Sequence, residues 1–394
     1  MDEKRLLEGI RVVEFSTYVA APICGQMLAD LGAEVIKVES PSGDLMRPFL
    51  WPQCKGNALF DAINGEKKSI TINLKSPEGA AALRKLAESS DIFLTNTRLK
   101  SLEKHGLDPK SLCAANPKLI YAWLSGCGDT GPEVNLPAFD SSTYWAKSGL
   151  LIDMMMDTGK SLPATNPVAG GDRVTGLAMF SLVMAALYRR AITGKGDYVT
   201  TSLFHAGLYQ NAFDIIQQQK GGQYPHPYGS LSPEGFNYKC ADGRWVLIAI
   251  MNWPKQGRAL CEAFGIPELF DDPKYEYPTQ KRLHAVELTD LFAEIMLTKT
   301  ADEWIAEFGK RDIACCILAN AESVQQSEQA WANGYFEKYT TSLGTEYTVV
   351  SSLVNMASQP KPYIHNVPEE TGADTADILG SLGLTPEEIE KASK

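Results

Sequence analysis

A chain of 394 residues, 44% apolar and 22% charged, can bury a substantial core, which excludes a disordered polymer and makes one small uniform domain a poor expectation. Its 37 Lys and Arg against 48 Asp and Glu leave a net charge of -11, which excludes a general attraction to nucleic acid or to an anionic membrane and leaves room only for local basic pockets. The opening MDEKRLLEGIRVVEF lacks the apolar run of a secretory signal, and the best apolar stretch, near 176 to 188, closes on Arg189 and Arg190 short of the roughly 18 residues of a membrane span, so a cytoplasmic protein is expected.

Ile10 to Phe15 is a β-branched strand, followed by Ala20 to Leu31, where Ile23, Met27, Leu28 and Leu31 recur at helical spacing, and by a second strand at Val35 to Val38. Ser76-Pro77 starts a helix, with a capping hydroxyl followed by a proline whose missing N–H does no harm there. Strands at Asp91 to Thr95 and Leu119 to Leu124 continue the alternation, which predicts a mostly parallel sheet covered by helices. A long apolar helix runs from Asp172 to Tyr188, then a turn at 193 to 197, a strand at Tyr198 to Leu203 and a helix over His205 to Lys220. Gly221 to Gly235 is rich in Gly, Pro, Tyr and Ser and reads as a linker. Beyond it, a strand at Trp245 to Met251 and helices at Leu283 to Leu297 and Ala301 to Phe308, the last with the capping-box pair Thr300 and Glu303, predict a smaller α/β domain over residues 226 to 325. The tail has a strand-like segment at Tyr347 to Val354 and a helix start at Thr385-Pro386-Glu387-Glu388, too little to stand alone, so it is expected to pack on existing structure.

Neither GxGxxG after the first strand nor GxxxxGK[ST] occurs, so no standard dinucleotide or phosphate loop is expected. The eight cysteines have no zinc or disulfide spacing, and His105, His205, His226, His284 and His365 form no metal pattern. Cys24 and the Cys315-Cys316 pair read as structural thiols, and His205 as a packing residue.

The segment EGIRVVEFSTYVAAPICGQMLADLGAEVIKVESPSGD at 8 to 44, NLKSPEG at 73 to 79, GGDRVTG at 170 to 176 and AITGKGDYVTTSLFHAGLY at 191 to 209 together resemble the family III CoA-transferases, in order and separation, over essentially the whole chain. Within that family the sequence looks closest to enzymes that move CoA among 2-hydroxy acids such as 2-hydroxyisocaproate and phenyllactate. The resemblance implies an α/β fold with a large Rossmann-like domain built from residues 1–220 and a return segment at 326–394, a small α/β domain at 226–325, and an interlocked homodimer. It also implies that CoA and acyl-CoA are substrates, with no metal, flavin or nicotinamide required.

By the same resemblance Asp172 is the carboxylate that carries the acyl group, through an aspartyl-acyl anhydride and an aspartyl-CoA thioester. Locally, Asp172 reads equally well as a helix cap. Gly170 and Gly171 would let substrate approach the backbone, and Val19, Ala20 and Ala21 match the backbone segment beside the thioester. An apolar Val19, where formyl-CoA transferases carry glutamine, fits a bulkier acyl side chain, and the middle domain has no glycine run like the mobile loop of those enzymes. Asp140 matches a second acidic position. Phe139 stands where related acyl-CoA racemases have a proton-transferring histidine, which disfavours racemisation. For CoA, the matching positions are Lys37, Asn73, Leu74, Lys75, Asn96 and Arg98, with Arg47 as a weaker candidate. The Met154-Met155-Met156 run suits either an adaptable acyl pocket or packing. A carnitine-like or dicarboxylic acceptor, an acyl-CoA racemase and a noncatalytic CoA-binding dimer are the alternatives.

Overall fold

A computed structural model describes residues 5–49, 57–157, 163, 165–228, 232–359, 362, 367 and 370–394; His365, Cys54 and part of the linker expected at 221 to 235 lie outside the described residues. The chain divides into two compact units, one of Met1–Leu150, Thr165–Phe213 and Glu328–Lys394, the other of Leu151–Ala164 and Asp214–Ser327. The strands are β1 (Arg11–Phe15), β2 (Glu34–Glu39), β3 (Lys68–Thr71), β4 (Ile92–Thr95), β5 (Ile120–Ser125), β6 (Met156–Asp157), β7 (Asp197–Ser202), β8 (His226–Pro227), β9 (Asn237–Lys239), β10 (Trp245–Ile248), β11 (Cys315–Ile317), β12 (Phe336–Thr340) and β13 (Glu346–Val350).

In the first unit, β3-β2-β1-β4-β5-β7 form one sheet, parallel throughout. The central strands read as near-continuous apolar runs because helices cover the sheet. The helices of this unit are α1 (Ala20–Asp30), α2 (Ala58–Asn64), α3 (Pro77–Glu88), α4 (Leu99–Lys104), α5 (Pro109–Ala115), α7 (Gly170–Thr193) and α8 (Leu203–Gln210), while α6 (Leu150–Asp153) and α9 (Ala212–Gln218) fall mostly in the second unit. Strand order reverses between β1 and β4, and in open α/β sheets that reversal opens a crevice at the carboxyl ends of the two strands. Residues 16–19 and Asn96 stand there.

Ser76 caps α3 through its hydroxyl, with Pro77 at the first helical position, as the sequence predicts. The single helix expected over His205 to Lys220 is instead two, because Asn211 breaks it and donates its side-chain N–H to the Ser148 carbonyl at 3.1 Å. The tail closes the β3 edge. Asp374 accepts the Ser69 N–H at 2.8 Å and Thr375 accepts the Thr71 N–H at 2.9 Å, while Ile378, Leu379 and Ala392 enter the core beside Ile70, Leu83 and Phe93. The strand-like tail segment pairs as β13 with β12.

By length and composition α7 is apolar enough to cross a membrane, more than its arginine-terminated sequence suggests. It buries Thr175, Gly176, Met179, Val183 and Ala186 within the first unit.

The second unit has an antiparallel β11-β10-β9 sheet and helices α10 (Trp253–Phe264), α11 (Thr279–Leu283), α12 (Ala285–Met296) and α13 (Ala301–Gly309). Phe264, Phe292, Trp304 and Phe308 form its aromatic core. The capping box at Thr300 and Glu303 forms as expected. Residues 151–164 group here, whereas the sequence alone assigns them to the first domain; β6 pairs with β8, Met156 opposite His226.

Candidate active site

The chain enters α7 through Ala169 in the left-handed conformation, φ 53° and ψ 26°, an arrangement that costs a residue with a β-carbon about 1 kcal/mol. Ala169 is the N-cap and supplies no side-chain cap, so Asp172 is a first-turn residue and not the helix cap. The Asp172 N–H donates to Oδ1 of Asp140 at 2.7 Å. Asp140 opens a π-helical turn, Asp140–Ala146, and is itself buried. A glycine at 171 permits this approach, because a β-carbon there would lie 2.1 Å from Cγ of Tyr144 and 2.6 Å from Oδ1 of Asp140.

Burial, and after it the negative charge of Asp140, pushes the Asp172 carboxyl up to about 7, with the neighbouring Arg173 pulling the other way. Burial likewise raises Asp140, against the N–H bonds it accepts. Asp172 is therefore poised between acid and carboxylate near neutral pH.

The segment after β1 meets the same place. Helix α1 starts at Ala20, with Val19 as an N-cap that makes no side-chain cap bond, so donors of its first turn are left without one. The Ala20 carbonyl oxygen is 2.5 Å from where a β-carbon on Gly176 would sit, which sets the start of α1 against the second turn of α7. Tyr18 has a left-handed φ of 63° and sets its ring edge-on to Phe139, centroids 5.6 Å apart. Phe139, the residue before Asp140, is 55% exposed. Residues 18–20, 139–140 and 170–172 thus lie on neighbouring parts of the first unit.

The cofactor candidates divide. Asn96 donates to the Thr17 carbonyl at 2.8 Å and accepts the Thr17 N–H at 3.1 Å, tying the ends of β1 and β4 at the crevice. Arg98, at the start of α4, and Lys75 are exposed, while Leu74 packs partly on the core. Asn73 is engaged by the tail: its N–H donates to the Ala392 carbonyl and its side-chain N–H to the Lys394 carbonyl, both at 2.8 Å. Lys37 is 0% exposed, 2.7 Å from Asp44 and 3.3 Å from Glu14. Its ammonium is committed to those carboxylates, which corrects its assignment to an open phosphate groove. Arg47 pairs with Glu39 at 2.6 Å and lies over the Phe60 ring.

His205 is exposed, with its N–H on the Ser202 hydroxyl, and the Cys24 thiol is raised far above its ordinary range by burial. Met154 to Met156 belong to the second unit. No group of three or more His, Cys, Asp or Glu that could hold a metal occurs among the described residues. Sequence reasoning missed Tyr18, the left-handed Ala169, and a buried cluster of Glu14, Lys37, Asp44 and Lys67. Its one sequence signal was a charge set among the apolar residues of the strands, Glu14 in VVEF and Lys37 in VIKV.

The signature of the family described as CoA-transferase family III matches residues 7–375. The (R)-2-hydroxy-4-methylpentanoate CoA-transferase of Clostridioides difficile is 36% identical over 98% of this chain and 97% of its own. The cinnamoyl-CoA:phenyllactate CoA-transferase of Clostridium sporogenes is 33% identical over 99% and 96%. Among solved structures, Rv3272 from Mycobacterium tuberculosis matches with a TM-score of 0.83 at 28% identity, covering 94% of this chain and 98% of that one. A CAIB/BAIF family protein from Brucella suis matches with a TM-score of 0.79 at 28% identity, covering 96% and 100%. The chain belongs to CoA-transferase family III: it transfers CoA from an acyl-CoA to a carboxylic acid, with CoA and acyl-CoA as substrates.

Proposed function

We propose that this family III CoA-transferase moves CoA reversibly to a 2-hydroxy acid with an apolar side chain, of the 2-hydroxyisocaproate or phenyllactate type, through covalent intermediates on Asp172. The observation that carries the mechanism is Asp172 itself, in the first turn of α7: its backbone N–H donates to Asp140, and its largely shielded carboxyl is pushed up to about 7. An ionised Asp172 there is a poorly solvated and correspondingly reactive nucleophile.

In the proposed sequence a carboxylate oxygen of Asp172 attacks the donor thioester carbonyl, and the C–S bond breaks to give an aspartyl-acyl anhydride and CoA thiolate. The thiolate attacks the aspartyl carbonyl and expels the donor acid as its carboxylate, leaving an aspartyl-CoA thioester. An acceptor carboxylate then attacks that thioester, and the expelled thiolate finally attacks the acceptor carbonyl, releasing the new acyl-CoA and the Asp172 carboxylate. Each step exchanges one acyl bond for another, so water is neither consumed nor released. Uncapped N–H donors in the first turn of α1 suit the oxyanions these additions create. Asn96 and Arg98 lie on the chain after β4, where CoA would enter the strand-reversal crevice, with Leu74 and Lys75 as further contacts.

The substrate class rests on the two relatives above, each of whose names includes a 2-hydroxy acid with a bulky apolar side chain, and on Tyr18, Val19 and Phe139 as an apolar wall. An interlocked homodimer belongs to the same reading. Leu177, Tyr188 and Ile192 of α7 and Tyr209 of α8 are exposed, a set of apolar side chains that a second copy would cover. The test is initial-rate CoA exchange with a panel of acids. A kcat/KM at least about tenfold higher for branched or aryl 2-hydroxy acids than for their deoxy analogues supports the assignment. Equal rates with simple short-chain or dicarboxylic acids refute it.

A further inference from the structure

Beneath the segment joining β1 to α1 lie four charged side chains that the transfer chemistry does not use. Glu14 in β1, Lys37 in β2, Asp44 after β2 and Lys67 ahead of β3 are all buried, and Glu14 and Lys37 are register partners on adjacent strands. Lys37 Nζ is 2.7 Å from Asp44 Oδ2 and 3.3 Å from Glu14 Oε1, and Lys67 Nζ is 2.7 Å from Glu14 Oε2. Two cations balance two carboxylates. A buried cluster of this kind is a weak source of stability, since apolar side chains of the same volume often serve as well. Its use is better sought in what it holds.

Both ends of one short segment are tied to it. Lys67 donates to the Pro22 carbonyl at 2.8 Å and to Asn64 Oδ1 at 3.1 Å, which with Glu14 occupies all three of its N–H groups. Asp44 Oδ1 accepts the N–H of Tyr18 at 3.3 Å, the residue held in the left-handed conformation. Between these anchors lie Val19, Ala20 and Ala21, the uncapped start of α1 that abuts α7 at Gly176.

We propose that the buried Glu14–Lys37–Asp44–Lys67 cluster is a positioning device for CoA transfer, in which Asp44 and Lys67 clamp residues 18–22 so that the first turn of α1 stays aligned with Asp172. The proposal rests on the reading of Asp172 as the nucleophile. Lys67 and Asp44 are positioning residues and touch no substrate. Burial brings the Lys67 ammonium down to about 8, against the attraction of Glu14. The charged and titratable groups around it are Glu14, Lys37, Asp44 and Cys24, with Asp30 further along α1. Above pH 8 it loses its charge and one of its three donors, and the clamp loosens.

The experiment measures kcat and acyl-CoA KM from pH 6 to 9.5 for the parent, Lys67→Met, and the charge-neutral double variant Glu14→Gln/Lys67→Met, which avoids stranding a buried carboxylate if the single variant fails to fold. Thermal melts establish that each tested variant is folded. The expected result is a kcat lower by about 100-fold with KM changed less than about threefold, because a misalignment near 1 Å carries that cost. The fall in parent kcat above about pH 8 is expected to vanish in the variant. A folded variant with parental kcat, or one that keeps the alkaline fall unchanged, overturns the proposal. Hydroxylamine labelling of Asp172 in the parent is measured alongside, so a wrong nucleophile and a wrong clamp give different results.

Discussion

Replacing Asp172 with asparagine is expected to stabilise the protein at alkaline pH while abolishing transfer. The carboxyl is held at about 7 against an ordinary 3.8, so the folded chain binds its proton more tightly than the unfolded chain does. Stability from this group is therefore present in full below the unfolded value, declines as pH rises from about 4 to about 7, and is lost above that. With each tenfold in proton affinity near 1.4 kcal/mol, the charged form costs the native state at most about 4 kcal/mol at pH 8. Partial exposure of the site lowers the measurable gain from asparagine to roughly 1–3 kcal/mol. The assay is urea denaturation of both proteins at pH 4.5, 6 and 8 and one fixed chain concentration, since subunit association would otherwise enter the midpoint. A gain that grows with pH and disappears near pH 4 is the expected outcome. An Asp172→Asn protein no more stable than the parent at pH 8, or a difference independent of pH, refutes the electrostatic reasoning.

Asp140→Asn removes the like charge that is the second cause of the Asp172 shift, so the acid limb of kcat/KM is expected to move below pH 7, burial keeping it above 3.8; a pH–rate profile checks this. Gly171→Ala puts a β-carbon 2.1 Å from Tyr144 and is expected to cost about 2 kcal/mol or more in stability and at least tenfold in kcat, read by denaturation and initial rates. Phe139→Ala removes one partner of the Tyr18 ring contact and is expected to lower kcat/KM for aryl acids about tenfold more than for small ones, measured by competition between two acceptors.

The parallel sheet was legible because its strands are apolar runs and its helices carry local start signals: Ser76-Pro77, Thr300 with Glu303, and Thr385 with Glu388 all cap as their side chains dictate. Helix α10 is not legible in the sequence, although Asn252 caps it and Pro254 sits in its first turn, because the apolar run of the strand before it continues past Ile248 to Met251 and hides the start. The break at Asn211 depends on a carbonyl 63 residues away, which no local pattern reports. At the site, the neighbourhood of Asp172, Asp140, Phe139 and Val19 was reached through family resemblance, not through periodicity. Lys37 was misread for a physical reason. A lysine in an apolar strand can end at solvent or in a buried ion pair, and its partners Glu14 and Asp44 become visible only when β1 and β2 align.

The most direct test of the covalent route is peptide mass spectrometry of the enzyme incubated with isotope-labelled acyl-CoA and hydroxylamine. A hydroxamate at Asp172 that requires acyl-CoA and is absent from Asp172→Asn is the expected result, since hydroxylamine opens an aspartyl anhydride or thioester at the aspartyl carbonyl. An unmodified Asp172 across donors that the enzyme turns over, or label on another carboxylate, would contradict the account.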